Sequence, residues 1–272
     1  MGHRILFLMH PGTNTRDIFL DIIEGYEQAG NQVYRLDLGA YWSQRDKTAN
    51  KDTQVACITL YMGLVYRFLM DNKIDLAYYH FRIDRVAGVK MIVSRTGYTG
   101  ELGYELYFKG DEETAAHVWN ELFKAGKEYD IQPAGLAARD SLRLEMGFCL
   151  YGNDIDETTN TIESGLGWIT KLNKEDFIGR ESLKKVKENG ITRKLVAMIS
   201  ADKFFPRKGY DIVDGDKKIG TITSGTVSPV LEKPIALGYI DSDYKKVGTE
   251  INISIRGKEF AAKVVKLPFV KN

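Results

Sequence analysis

Cysteine is almost missing from this chain. The two present, Cys57 and Cys149, are too few and too far apart for a disulfide framework, so they predict reduced, intracellular thiols. Histidine is also sparse: His3, His10, His80 and His117 are scattered without the spacing of metal ligands, and no metal site is expected. Excess charge of either sign is lacking, because 38 Lys and Arg face 37 Asp and Glu. That balance excludes a broad basic face, and nucleic acid is not expected as a partner. There is no long apolar run either. The stretch Arg4 to Met9 is too short for a membrane span, and the polar segment after it has no small-residue cleavage site, so a cytoplasmic protein with no membrane contact is expected. Short repeats and low-complexity tracts are absent. What remains is 272 residues with 43% hydrophobic content, enough for two domains or one large one with a packed core.

Residues 1–75 read as a small α/β unit. Ile5 to Met9 is a short buried-type strand and HPGTNTRD a polar turn. Ile18, Ile22, Ile23 and Tyr26 follow at helical spacing between Thr15 as N-cap and Gly30 as stop. Val33 to Leu38 alternates as a strand, a long amphipathic segment covers Val55 to Met70, and a third strand starts at Asn72 to Leu76. This β-α-β-α-β order predicts a Rossmann-like half-sheet with parallel strands. Its turn has one glycine instead of GxGxxG, so dinucleotide binding is poorly supported. The unit has a weak similarity to the N-terminal halves of glycosyltransferases; a purely structural role is the alternative.

From about Tyr78 the pattern changes. Val86 to Ser94 and Tyr104 to Phe108 read as strands flanking SRTGYTGELG, a loop with glycine at 97, 100 and 103. Such a loop either brings backbone close to a flat ligand, with Tyr98 and Tyr104 offering ring faces and Glu101 and Glu105 acceptors, or is a hairpin turn in which glycine only supplies φ > 0. Glu112 to Lys127 is predicted helical with Ala115, Val118, Trp119 and Leu122 inward, as is Ala137 to Glu145. From Lys194 onward strand-like runs alternate with glycine turns, which predicts an antiparallel β-barrel. The fold class is therefore α+β: a Rossmann-like unit over 1–75, an α+β portion over 76–190 and a barrel over 191–272.

Four strings in order, SRTGYTGELGYE, GLAARDSLRLEMGFCLYGNDIDETTN, GWITKLNKEDFIGRESL and GTITSGTVSPVLEKPIALGYI, resemble the T-protein of the glycine cleavage system, an aminomethyltransferase. The resemblance runs from about Tyr78 through the VVKLPFV ending. It implies a folate-binding fold with a C-terminal barrel. It also implies a reaction of glycine catabolism in which a one-carbon unit passes from an aminomethyl-lipoyl group on an H-type carrier protein to tetrahydrofolate, with release of ammonia.

The resemblance carries over to particular residues. Glu105 and Arg139 match the glutamate and arginine that bind folate, and Tyr98 a tyrosine lining the same pocket. A carboxylate can accept paired hydrogen bonds from the amide edge of a pterin, and a guanidinium can serve its acceptors. The alternative is a bare buried ion pair between Glu105 and Arg139. Tyr151 matches a tyrosine near the folate and equally suits a half-buried core ring. Arg143, one helical turn after Arg139, reads as structural, with Asp140 and Glu145 able to neutralise the pair. Asp154 and Asp156 read as solvated turn residues, Arg207 as an exposed basic turn residue or a residue at the site's opening, and Trp168 as core packing. The family's catalytic aspartate lies in a GGIxDD-like stretch, and this chain contains no such string. No catalytic residue is named, and the second functional reading is an inactive fusion or truncated folate-binding module.

Overall fold

The computed structural model describes residues 6–9, 55–61 and 76–271. The chain divides into two compact units, 1–139 and 140–272.

The first unit is built on an antiparallel sheet of β1 (Leu6–Met9), β2 (Val55–Tyr61), β3 (Phe81–Val86), β4 (Val89–Ser94) and β5 (Gly103–Lys109), in the order β1-β2-β5-β4-β3. The described part of the first seventy-five residues departs from the parallel arrangement expected of it. β1 pairs antiparallel with β2, and β2 pairs antiparallel with β5. Val55–Tyr61, expected at the start of an amphipathic helix, is the strand β2. The expected elements at Ile18 to Tyr26 and Val33 to Leu38 lie outside the described residues. The strand expected over Val86 to Ser94 is broken at Ala87 and Gly88, whose φ angles are +52° and +78°. Two successive positive φ values make the tight turn that joins β3 to β4 as a hairpin.

Period-two alternation then sets the faces of β5. Tyr104, Leu106 and Phe108 are fully buried, so Glu105 and Tyr107 between them turn to the other face of the sheet. Helix α1 (Glu112–Gly126) starts at the N-cap Asp111, whose carboxylate accepts from the Thr114 N–H at 2.9 Å. The helix buries Val118 and Leu122, with Ala115 and Trp119 half-buried beside them, close to the face predicted from spacing.

Helix α2 (Leu136–Glu145) runs from the end of the first unit into the second. The second unit continues through α3 (Arg180–Asn189) to the strands β6 (Arg193–Ser200), β7 (Asp211–Asp214), β8 (Lys217–Val227), β9 (Pro234–Asp241), β10 (Glu250–Ile255) and β11 (Lys258–Val265). These six close an antiparallel barrel in the order β10-β11-β6-β9-β8-β7, as the alternating runs predict. Ile212, Ile222, Ile240, Ile253 and Val264 belong to one buried cluster, and Leu144, Leu195, Ile235, Leu237 and Tyr239 to a second. β9 supplies residues to both clusters, and its first seven residues are buried in an unbroken run. A strand covered on both faces has no solvent side to alternate toward. The register of β8 slips between Ile222 and Ser224, and the hydroxyl of Thr223, the extra residue, donates to the Asp154 carboxylate at 2.5 Å and to the Leu237 carbonyl of β9 at 3.2 Å.

Candidate functional site

The loop between β4 and β5, Arg95 to Leu102, is pinned at its base. Arg95 is buried, donates through Nη1 to the Leu76 carbonyl at 2.8 Å and lies 5.3 Å from the centre of the Tyr104 ring. Thr99 is buried too, and its hydroxyl accepts from the Glu101 N–H at 3.4 Å. The tip at Gly100, Glu101 and Leu102 is exposed, and Gly100 sits at φ +81°, a conformation that costs glycine nothing. Tyr104 offers no ring face to a ligand: strand alternation puts it in the core beneath Arg95.

Glu105 and Arg139 are both half-buried, and among the described residues no ion pair joins them. The Glu105 carboxylate accepts a hydrogen bond from the Thr96 hydroxyl. That hydroxyl lies 3.0 Å from the Ser94 hydroxyl, on the residue paired with Glu105 across the ladder. The Arg139 guanidinium lies over the Tyr98 ring, 4.3 Å from its centre, a cation–π contact. The structure thus brings Tyr98 and Arg139 together, and holds Glu105 by its strand and by Thr96. A carboxylate accepting a single hydroxyl keeps lone pairs for further donors, and a guanidinium over a ring keeps its in-plane N–H groups. Tyr78, which spacing and motif both miss, also belongs to this neighbourhood. Burial holds its phenol above the ordinary range, Tyr79 adds to that with its ring centre 4.3 Å away, and the negative charge of Glu105 contributes.

Arg143, one turn further along α2, has the opposite environment. It is fully buried and donates to Asp140 Oδ1 through Nε (2.8 Å) and Nη2 (2.6 Å), to Asp154 Oδ2 (2.6 Å), to the Ser224 hydroxyl (2.7 Å) and to the Phe148 carbonyl (3.0 Å). The structural role expected of Arg143 follows from this saturation. Asp154, expected as a solvated turn residue, is instead fully buried. It accepts from Arg143, from the Leu150 N–H at 2.9 Å, and from the hydroxyls of Thr223 and Ser224 at 2.5 and 2.9 Å. Its turn closes inward because a buried guanidinium waits there. Asp156 does behave as a turn residue, with its carboxylate accepting from the N–H and hydroxyl of Thr158. Tyr151 is half-buried in the second unit, in a bridge with Ile155.

Trp168 corrects another expectation. It is 70% exposed where core packing was predicted, because the GLGW segment lies in a run of turns that buries only Glu163 and Ser164. Arg207 is exposed, 5.4 Å from the Phe205 ring. Burial pushes the Cys149 thiol up to about 11, which keeps it protonated and unreactive near neutrality. Among the described residues no cluster of His, Cys, Asp or Glu could hold a metal ion, and no helix is long and apolar enough to cross a membrane.

Against known proteins, residues 65–174 match the family described as GCVT N-terminal domain, and residues 193–271 match the glycine cleavage T-protein C-terminal barrel domain. Over these two stretches the chain belongs to the glycine cleavage T-protein family. The first match begins ahead of Tyr78, so the family's part of the chain reaches further toward the N-terminus than the motifs alone indicate. An aminomethyltransferase of Flavobacterium psychrophilum is 52% identical over 200 residues, 73% of this chain and 55% of that protein. One from Halothermothrix orenii is 43% identical over 232 residues, 84% of this chain and 64% of the relative. The crystal structure of glycine cleavage system aminomethyltransferase T from Bartonella henselae superposes with a TM-score of 0.71 at 31% identity, over 79% of this chain and 60% of that one. The T-protein-like chain therefore spans little more than half the length of the curated relatives it matches.

Proposed function

We propose that this chain is an aminomethyltransferase of the glycine cleavage type. It binds tetrahydrofolate at Tyr98, Glu105 and Arg139 and passes to it a one-carbon unit from an aminomethyl group on a lipoylated H-type carrier protein, with release of ammonia. The observation that carries the reading is the state of Glu105 and Arg139. A purely structural pair would neutralise each other, whereas here each is held by an uncharged neighbour and keeps hydrogen-bonding capacity for a ligand. Glu105 would accept from the N–H groups of the pterin amide edge, and Arg139 would serve acceptor atoms of the same ligand while Tyr98 fixes its plane. Tetrahydrofolate supplies the nucleophilic nitrogen when bound; the protein's contribution is to hold that nitrogen against the incoming carbon. Tyr151 enters the proposal on the family resemblance alone, and proton transfer is assigned to no residue of this chain.

Support comes from the two family matches in their proper order and from relatives near 50% identity. The test is the formation of methylenetetrahydrofolate from aminomethylated lipoyl carrier protein, run beside calorimetric titration with tetrahydrofolate. Turnover with saturable binding supports the reading. Binding without turnover reduces the chain to a folate-binding module, and no binding up to millimolar ligand overturns it.

A further inference from the structure

Asn189 is followed by Gly190, the one Asn-Gly step in the 272 residues. The pair ends α3: Asn189 is its last residue, and Gly190 lies just past it at φ +81° and ψ 173°. That conformation is essentially closed to a residue with a Cβ, so the stop of this helix requires glycine. Both residues are exposed. The side chain that would otherwise crowd the backbone nitrogen after an asparagine is thus missing, and solvent reaches the pair. Among the described residues the side-chain ties of α3 lie at its start, where Arg180 Nε donates to the Leu172 carbonyl at 3.2 Å and Glu181 pairs with Arg180 and Lys184 at 2.7 and 3.2 Å. Beyond the helix the chain is anchored again, because the carbonyls of Ile191 and Thr192 accept from the hydroxyl and the N–H of Ser242 at 2.6 and 2.9 Å. A ten-residue helix that buries no side chain frays at its end for little free energy. Fraying frees the Asn189 backbone from the helical angle that keeps its carboxamide away from the next nitrogen.

We propose that Asn189 is a site of spontaneous deamidation through a succinimide. With the last turn open, the backbone nitrogen of Gly190 gives its proton to solvent and attacks Cγ of Asn189, closing the ring. The carboxamide nitrogen takes up a proton and leaves as ammonia. Water then opens the ring at either carbonyl, giving aspartate or isoaspartate. The sum is one water consumed and one ammonia released, with no change of oxidation state. Either product places a carboxylate beside Glu188 at the C-terminal end of α3, the negative pole of the helix, so the end loosens further. The chain's formal net charge of +1 is lost with it. Isoaspartate also adds a methylene to the backbone just ahead of β6. Two other asparagines show the contrast. Asn160 precedes the β-branched Thr161, and its Oδ1 accepts from the N–H groups of Ile162 and Glu163, both at 3.0 Å. Asn252 precedes Ile253 inside β10, and its Nδ2 donates to Glu259 at 2.7 Å.

Incubation of the full chain at mildly alkaline pH and physiological temperature, followed by peptide mapping with mass spectrometry, tests this. The peptide holding Asn189 should gain about one dalton, and should do so at least about tenfold faster than those holding Asn160 or Asn252. No gain there, or a gain no faster than theirs, overturns the proposal. The same incubation in urea separates the part of the structure from that of the dipeptide. Because the helix end opens easily, unfolding should speed the conversion by no more than about tenfold, and conversion confined to the unfolded chain overturns the proposal. The route has its own signature: an L-isoaspartyl methyltransferase with labelled S-adenosylmethionine should label the Asn189 peptide of the aged chain. It should not label that peptide in the fresh chain or in an aged Asn189→Gln chain, whose longer side chain closes a ring far more slowly. A mass gain without label, or equal labelling of the variant peptide, overturns the succinimide.

Discussion

Arg139 and Arg143 sit one turn apart on the same helix and have opposite fates. Arg143 is enclosed in the barrel unit with every donor nitrogen used, and its carboxylate partner Asp154 is as deeply buried as it is. Arg139, at the end of the sheet unit, is half-buried against a tyrosine ring. A saturated buried charge has nothing left to offer a ligand, and removing one member strands the other in a medium that cannot solvate it. A half-buried, singly engaged charge is cheap to hold and available for binding. What separates the two arginines of this helix is therefore what surrounds each, not residue type or spacing.

The largest expected effect tests the structural side of that contrast. Arg143→Ala leaves Asp154 buried without its cation and should lower stability by about 3–5 kcal/mol, read as the denaturation midpoint of the whole chain. An Arg143→Ala chain as stable as the parent would put Arg143 in the same class as Arg139.

On the functional side, Glu105→Gln should weaken tetrahydrofolate binding by about 1.5–3 kcal/mol, roughly ten- to hundredfold, because the amide presents a donor where the carboxylate had only acceptors. Arg139→Ala should weaken it comparably. Melting temperatures measured on the same samples should barely move. Lost stability with unchanged affinity would return both residues to a structural role.

Thr96→Val separates orientation from charge. It removes the hydroxyl that donates to Glu105 and should reduce folate affinity by about 0.5–1.5 kcal/mol, leaving the carboxylate in place; titration calorimetry resolves the difference from Glu105→Gln.

The smallest effect concerns the cap of α1. The Thr114 N–H, and then its hydroxyl, hold the Asp111 carboxyl below the ordinary aspartate range. A depressed folded-state value means that the contribution is present above the unfolded value and is lost as pH falls through the folded one. Protection of the amides in the first turn of α1, taken relative to their intrinsic exchange rates, should therefore fall on acidification below the ordinary aspartate range. In Asp111→Ala that protection should be low at every pH, with folate binding untouched.

How much of this was legible beforehand depended on whether the deciding interaction is local. The inward face of α1 and the strand-and-turn rhythm of the barrel are written in neighbouring residues, and they read correctly. Four motif strings sufficed to name the family. Val55–Tyr61 misled because an apolar run of that length suits a strand or a buried helix equally, and pairing with β5 decides between them. Ala87-Gly88 lacks the asparagine or aspartate that usually marks such a turn, so the hairpin was invisible.

The sequence by itself nominated Tyr98, Glu105 and Arg139 for the proposed folate site and determined that the C-terminal part closes into a barrel, since periodicity and turn chemistry act over a few residues. Only the tertiary structure decided that Tyr104 is core while Glu105 faces outward, that Asp154 is buried beneath Arg143, and that Trp168 is exposed. Burial of a charged or aromatic side chain depends on partners far along the chain: Ser224 reaches Arg143 and Asp154 from the barrel, and no local pattern records that meeting.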